Sequence, residues 1–192
     1  VKQIDIIIIG VGGQGTLLTS RILGALALEL NTDVKVSEVH GMAQRGGSAM
    51  SFFRMGEEIH APLVDLACAD YILAFEKMEA MRALPYLKPG GTVIVNTQEI
   101  VSMPVITGAT EYPRDLMDRL HKNANVLAVD AAALAIAAGE PRAVNLVLLG
   151  AFARFTGIDR ASWDRAIAKS VPARLLTVNE AAFEAGYQIC AK

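Results

Sequence analysis

Hydrophobic positions change period along the chain, and each change marks an element. Ile6 to Ile9 is an unbroken β-branched run, which predicts a strand buried on both faces at the centre of a parallel sheet. After a glycine-rich turn, Leu18, Ile22, Leu26 and Leu30 recur at every fourth position, the apolar stripe of an amphipathic helix. Another face of that helix carries Ser20, Gly24 and Ala27, small residues that permit close approach to a sheet or a partner. Asn31 to Asp33 end the helix, and Val34 to Val39 form a second strand. The opening thus reads as a βαβ unit with a right-handed crossover.

Further strands are predicted over Ser48 to Met55, Tyr71 to Phe75, Thr92 to Asn96 and Val126 to Val129. Glu76 to Leu87 has helical spacing, and Lys88-Pro-Gly-Gly91 is read as its stop. Residues 97–113 lack a period and read as a loop or short edge strand, followed by a helix from near Arg114. Asp130 is placed to cap an alanine-rich helix reaching Ala138. Three more helices follow, built around Val144 to Phe155, around Trp163 and Ile167, and around Leu176, Asn179, Phe183 and Tyr187. This last stripe reads as a core face, part of which could meet another subunit. Alternating strands and helices give an α/β class: a Rossmann-like, doubly wound, mostly parallel sheet with additional C-terminal helices, in one domain over residues 1–192.

Composition narrows the function. Apolar residues are 53 % of the 192, ample for a large core, and the net charge of −2 offers no general attraction to nucleic acid or an anionic membrane. No segment reaches the ~20 apolar residues that span a bilayer, and the apolar run after Lys2 is too short for a secretory signal. Cys68 and Cys190 stand far apart without a CxxC partner, too few to hold an iron–sulfur cluster or a structural zinc. They are read as buried, reduced thiols of a cytoplasmic protein.

Two stretches carry candidate chemistry. Gly10, Gly12 and Gly15 fit G-x-G-x-x-G between a strand and a helix, with Gly13 as an extra glycine and Gln14 and Thr16 at the helix start. Glycines let the backbone N–H groups approach an anion, and the helix start adds donors and a positive dipole end. The same glycines would also serve a purely structural turn. Glu38 ends the second strand, where a dinucleotide fold keeps its ribose-binding acid, slightly beyond the ~20 residues usual for that spacing. The second stretch, His40 to Gly47, gathers His40, Gln44, Arg45 and the pair Gly46-Gly47 at the edge where open parallel sheets bind ligands. Its plain alternative is a flexible connection with a solvated arginine. His60 and His121 have no local partner and read as surface or packing residues.

Four segments in this order resemble a known family: GVGGQGTLLTSRILG from Gly10, SEVHGMAQRGGS from Ser37, LKPGGTVIVN from Leu87 and NLVLLGA from Asn145. Together they are similar to the gamma domain of 2-oxoacid:ferredoxin oxidoreductases, and nearest to the small beta subunit of the indolepyruvate enzymes. The resemblance implies an accessory subunit of a complex that oxidatively decarboxylates a 2-oxoacid to an acyl-coenzyme A. It implies thiamine diphosphate, magnesium and iron–sulfur clusters on a larger partner, with ferredoxin as the indirect acceptor and the assembly able to form a homodimer. The cysteine cluster and the GDG…N pattern such chemistry needs are missing from this sequence, so activity alone is not expected and no residue is assigned as catalytic or metal-binding. The glycine turn with Arg45 is carried over as an anion surface, coenzyme A phosphates being the first candidate ligand; His40 and Gln44 are open between charge stabilisation and an interface. A free-standing NAD(P)-dependent oxidoreductase, an S-adenosylmethionine methyltransferase and a non-enzymatic nucleotide-binding module are the alternatives.

Overall fold

The computed structural model describes residues 2–12, 14–40, 47–101 and 103–189, the side chains of His40, Met103 and Pro104 excepted. Six strands, β1 (Ile4–Val11), β2 (Asp33–His40), β3 (Ser48–Gly56), β4 (Ala69–Ala74), β5 (Leu87–Asn96) and β6 (Asn125–Val129), form one sheet in the order β2-β3-β1-β4-β5-β6. β1, β4, β5 and β6 pair in parallel, whereas β3 is antiparallel to both β1 and β2. β2 therefore runs in the same direction as β1 without touching it. Residues 41–47 are too few for a crossover, so β3 returns beside β2 as a hairpin partner and takes the place next to β1.

The isoleucine run shows why the sheet is covered twice. Ile4, Ile6 and Ile8 enter one core and Ile7 and Ile9 the other, because successive strand side chains point to opposite faces. Helices α1 (Thr16–Glu29), α5 (Ala131–Ala137), α6 (Val144–Thr156), α7 (Arg160–Ser170) and α8 (Leu176–Ile189) supply the first core. Helices α2 (Lys77–Ala83) and α4 (Leu116–Asn123) supply the second, and a single turn, α3 (Met103–Ile106), interrupts the segment after β5. In the first core Trp163 stands edge-on to Phe152 at 6.0 Å between ring centroids and tilts against Phe183 at 5.6 Å. Asp130 caps α5 as expected, accepting the Ala133 N–H at 3.0 Å.

Three expectations change. The helix predicted over 76–87 ends at Ala83 and passes through a 3₁₀ turn (Leu84–Tyr86), and LKPGG lies inside β5 instead of stopping a helix. There the register slips, Ala69 pairing with Leu87 but Tyr71 with Thr92, so the four residues Lys88 to Gly91 stand opposite the single residue Asp70 as a bulge. Among the described residues of 97–113 the loop alternative holds in place of an edge strand, and the one-turn α3 is added to it. Cys68 is exposed, because it lies in the irregular segment just before β4 and not within the strand; Cys190 lies outside the described residues. His60 and His121 are both exposed.

One ion pair ties that irregular segment to the sheet. Asp5 and Arg54 are register partners on β1 and β3, and Arg54 Nε and Nη2 donate to the two carboxylate oxygens at 2.9 and 3.0 Å. The other arm, Nη1, donates to the carbonyls of Ala61 and Leu63, holding them against the sheet edge.

Candidate functional site

The glycine turn sits at the carboxyl end of β1, between β3 and β4. The chain leaves β1 for α1 on one face and leaves β4 for α2 on the other, so the crevice between β1 and β4 is a topological switch point, where open α/β sheets bind ligands. Gly15 caps α1 with φ of 89°, a left-handed conformation that favours glycine, and an added Cβ would lie 3.2 Å from Asn145 Cγ. At Gly10 a Cβ would meet Gln14 Oε1 at 2.9 Å and Phe75 Cβ at 3.0 Å.

Much of the turn's hydrogen bonding is internal. Gln14 Oε1 accepts the Val11 N–H at 2.7 Å and its Nε2 donates to the Phe75 carbonyl at 3.1 Å, a carbonyl that also accepts from the buried Asn96 amide. Gly12 N–H donates to the Gly47 carbonyl at 3.0 Å and Gln14 N–H to that of Val11 at 3.3 Å. Gln14 is thus a clasp joining β1 to β4. The donors open to an anion begin with the first turn of α1, at Gly15 and the buried Thr16; that turn has no side-chain cap and no acidic residue.

A cleft opens beside this turn. Gln14, Gly15, Gln98, Arg142, Val144 and Asn145 are among the residues lining a cavity of about 370 Å³. The start of α6 enters the same cavity, and it too lacks a side-chain cap and an acidic first turn. Asn145 is 2 % exposed, and its Nδ2 has no hydrogen-bond partner among the described residues. An unpaired buried donor costs about 1–3 kcal/mol, so this amide gains by donating to any acceptor that enters the cleft. Arg142 stands at the rim with its side chain 93 % exposed and Glu140 3.6 Å away. Two uncapped helix starts, an orphaned amide and a guanidinium thus share one cleft, all of them donors of the kind that an anion attracts. On the other flank of the turn, Gly12, Leu17, Arg21, Ala49 and Pro172 border a more apolar cavity of about 470 Å³.

The remaining predicted residues fall differently. Glu38 is exposed on β2, and β3 separates it from β1, which places it about 10 Å across the sheet from β1, one strand spacing beyond where a ribose-binding acid would stand. Gly13, Gln44, Arg45 and Gly46 lie outside the described residues, as does the side chain of His40. Gly47, the next described residue, accepts from Gly12. Sequence reading did not single out Gln98, Arg142 or Asn145 as site residues. Asn145 was visible as a polar residue opening the apolar run of α6, but only the fold brings it against Gly15.

On the other face of the same edge lie two buried acids. Glu76 caps α2 by accepting the Glu79 N–H at 3.0 Å and takes the Tyr112 hydroxyl; burial and that carboxylate hold the phenol well above its usual range. Among the described residues no group of three or more histidine, cysteine or acidic side chains could hold a metal ion. No described helix is long and apolar enough to cross a membrane.

Residues 5–189 match the family model described as pyruvate ferredoxin/flavodoxin oxidoreductase. The chain belongs to this family. It is 39 % identical to indolepyruvate oxidoreductase subunit IorB of Thermococcus kodakarensis, covering 96 % of this chain and 95 % of that subunit. Its fold superposes with a TM-score of 0.72 on the keto/oxoacid ferredoxin oxidoreductase gamma subunit of Geobacter sulfurreducens, at 23 % identity over 96 % of each chain. It also matches a 2-oxoglutarate:ferredoxin oxidoreductase of Magnetococcus marinus solved with 2-oxoglutarate, coenzyme A and succinyl-CoA, with a TM-score of 0.74 and 19 % identity; all of this chain corresponds to 31 % of that longer one. The subunit is a small accessory component of a 2-oxoacid:ferredoxin oxidoreductase, the role that its four sequence segments implied.

Proposed function

We propose that the subunit contributes a coenzyme A phosphate site to its complex, and that oxidative decarboxylation of an indolepyruvate-type 2-oxoacid takes place on a larger cytoplasmic partner. That partner carries the thiamine diphosphate, magnesium and iron–sulfur clusters and reduces ferredoxin; the isolated subunit is inactive. The observation that carries the reading is the orphaned Asn145 amide between the uncapped starts of α1 and α6. Phosphates supply the dense negative charge and the acceptors that this cleft lacks. Arg142 binds from the rim, and the sequence candidates Gln44, Arg45 and Gly46, which lie outside the described residues, are kept as further contacts for the same anion. The coenzyme A and succinyl-CoA held by the Magnetococcus marinus enzyme agree with this choice of anion.

The test is steady-state kinetics on the complex reconstituted with its larger subunit. Arg142→Ala and Asn145→Ala should each raise the KM for coenzyme A about tenfold, the scale of a charge-assisted or buried hydrogen bond, with the KM for the oxoacid unchanged. Unchanged coenzyme A kinetics in both variants would overturn the assignment. Turnover by the purified subunit alone would overturn the dependence on a partner.

A further inference from the structure

We propose that Glu79 is a positioning residue for the glycine turn, acting from the opposite face of the sheet through Ser48. The inference rests on the coenzyme A reading of the cleft and names a residue that reading does not use. Glu79 lies on α2, over the core of Ile7 and Ile9, and is 5 % exposed. Its Oε2 accepts the Ser48 hydroxyl at 2.5 Å, and its Oε1 faces Arg82 at 3.6 Å. Ser48 is the first residue of β3 and the register partner of Val11. The preceding residue, Gly47, accepts the Gly12 N–H at 3.0 Å. A continuous path of hydrogen bonds and one peptide link thus runs from Glu79 through Ser48 and Gly47 to Gly12, crossing from the α2 face to the α1 face.

The chemistry of the group argues for more than a tether. A carboxylate with its side chain 6 % exposed, beside a second buried acid at Glu76, is costly to keep ionised, and burial pushes the Glu79 carboxyl up. Arg82, half exposed, compensates only from one side. What the acid secures is the start of β3, the strand whose first residues set where Gly12, and with it the first turn of α1, stands. A small shift there would move the Gly15 and Thr16 donors relative to Asn145.

The experiment uses the reconstituted complex with Glu79→Ala, Glu79→Gln and Ser48→Ala. Two readouts are taken: the KM for coenzyme A against kcat and the oxoacid KM, and hydrogen exchange at the Gly12 amide. Glu79→Ala and Ser48→Ala should raise the coenzyme A KM about fivefold, the effect of one lost hydrogen bond, leave kcat and the oxoacid KM in place, and speed Gly12 exchange. Glu79→Gln keeps an acceptor for the hydroxyl and should restore both. Ser48→Ala carries the test alone if Glu79→Ala does not assemble. Normal coenzyme A kinetics and normal Gly12 exchange in the assembled variants would overturn the proposal. If Arg142→Ala shows that coenzyme A does not use the cleft, Gly12 exchange decides: faster exchange in Ser48→Ala sustains the latch, and unchanged exchange removes it.

Discussion

Gly150 on α6 and Gly186 on α8 face each other across a helix crossing at backbone contact. A Cβ on Gly150 would stand 2.0 Å from the Phe183 carbonyl oxygen, and one on Gly186 would stand 1.9 Å from that of Val147. Neither obstacle is a side chain that could swing away. Gly150→Ala or Gly186→Ala must push the two helices apart and loosen the packing around Trp163 and Phe183. Either substitution should cost about 3 kcal/mol or more, which at this chain length lowers Tm by ~6–12 °C. Gly24→Ala is the control, because nothing lies within 4 Å of its Cβ. Helix propensity should make that variant more stable by ~0.5–1 kcal/mol, and thermal unfolding separates the two outcomes.

Arg54 compensates a buried carboxylate: the Asp5 side chain is 8 % exposed and that of Arg54 18 %. Arg54→Met leaves Asp5 charged without its bidentate partner and should destabilise by about 3–5 kcal/mol. Since Arg54 also holds the Ala61 and Leu63 carbonyls, limited proteolysis should begin within residues 57–68 in the variant. The double variant Asp5→Leu, Arg54→Met should recover most of the loss in denaturant titration.

Asn145 sets stability against binding. Replacing it by leucine, which has the same branching and projects into the adjoining cleft, removes an unpaired buried donor, so the free subunit should gain about 1 kcal/mol in urea unfolding. The same change should weaken coenzyme A in the reconstituted complex. A loss of stability in the free subunit would mean that Asn145 has a structural partner after all.

Glu79 sets a sign for pH dependence. Its folded pKa is raised above 4.5, first by burial, so the folded state holds the proton more tightly than the unfolded state. Its contribution to stability is present below the unfolded value and is lost as pH rises through the folded one. Glu29 and Glu184 act oppositely: hydrogen bonds from Lys169 and Arg165, and from Arg160 and Gln188, hold them below their ordinary range, so their contributions are lost as pH falls. Between those ranges the wild type should lose stability with rising pH where Glu79→Gln does not, as read from denaturant midpoints at pH 5 and 7.

Cys68 should react. Its exposure predicts that a maleimide labels it in the folded protein at close to the rate of a free thiol, with the adduct assigned by peptide mass mapping. Protection until denaturation would place it back in a covered environment.

Local sequence was enough for the elements whose burial repeats along the chain. The run Ile6 to Ile9 required a strand covered on both faces, the fourfold spacing from Leu18 required α1, and Asp130 announced α5, because each signal lies within a few residues. The same holds for the family resemblance, carried by four contiguous segments, and for the glycine turn, whose position between strand and helix is a local property. Only the tertiary structure decided the order of the strands, since pairing joins residues far apart in sequence. The insertion of β3 between β1 and β2 moved Glu38 a strand away from the turn. The fold also brought Asn145 to within 3.2 Å of the Cβ position at Gly15, and joined Glu79 to Ser48 across the sheet. Hydrophobic period records which face of an element is buried; it does not record which element arrives to bury it, and the cleft lies where two such elements meet.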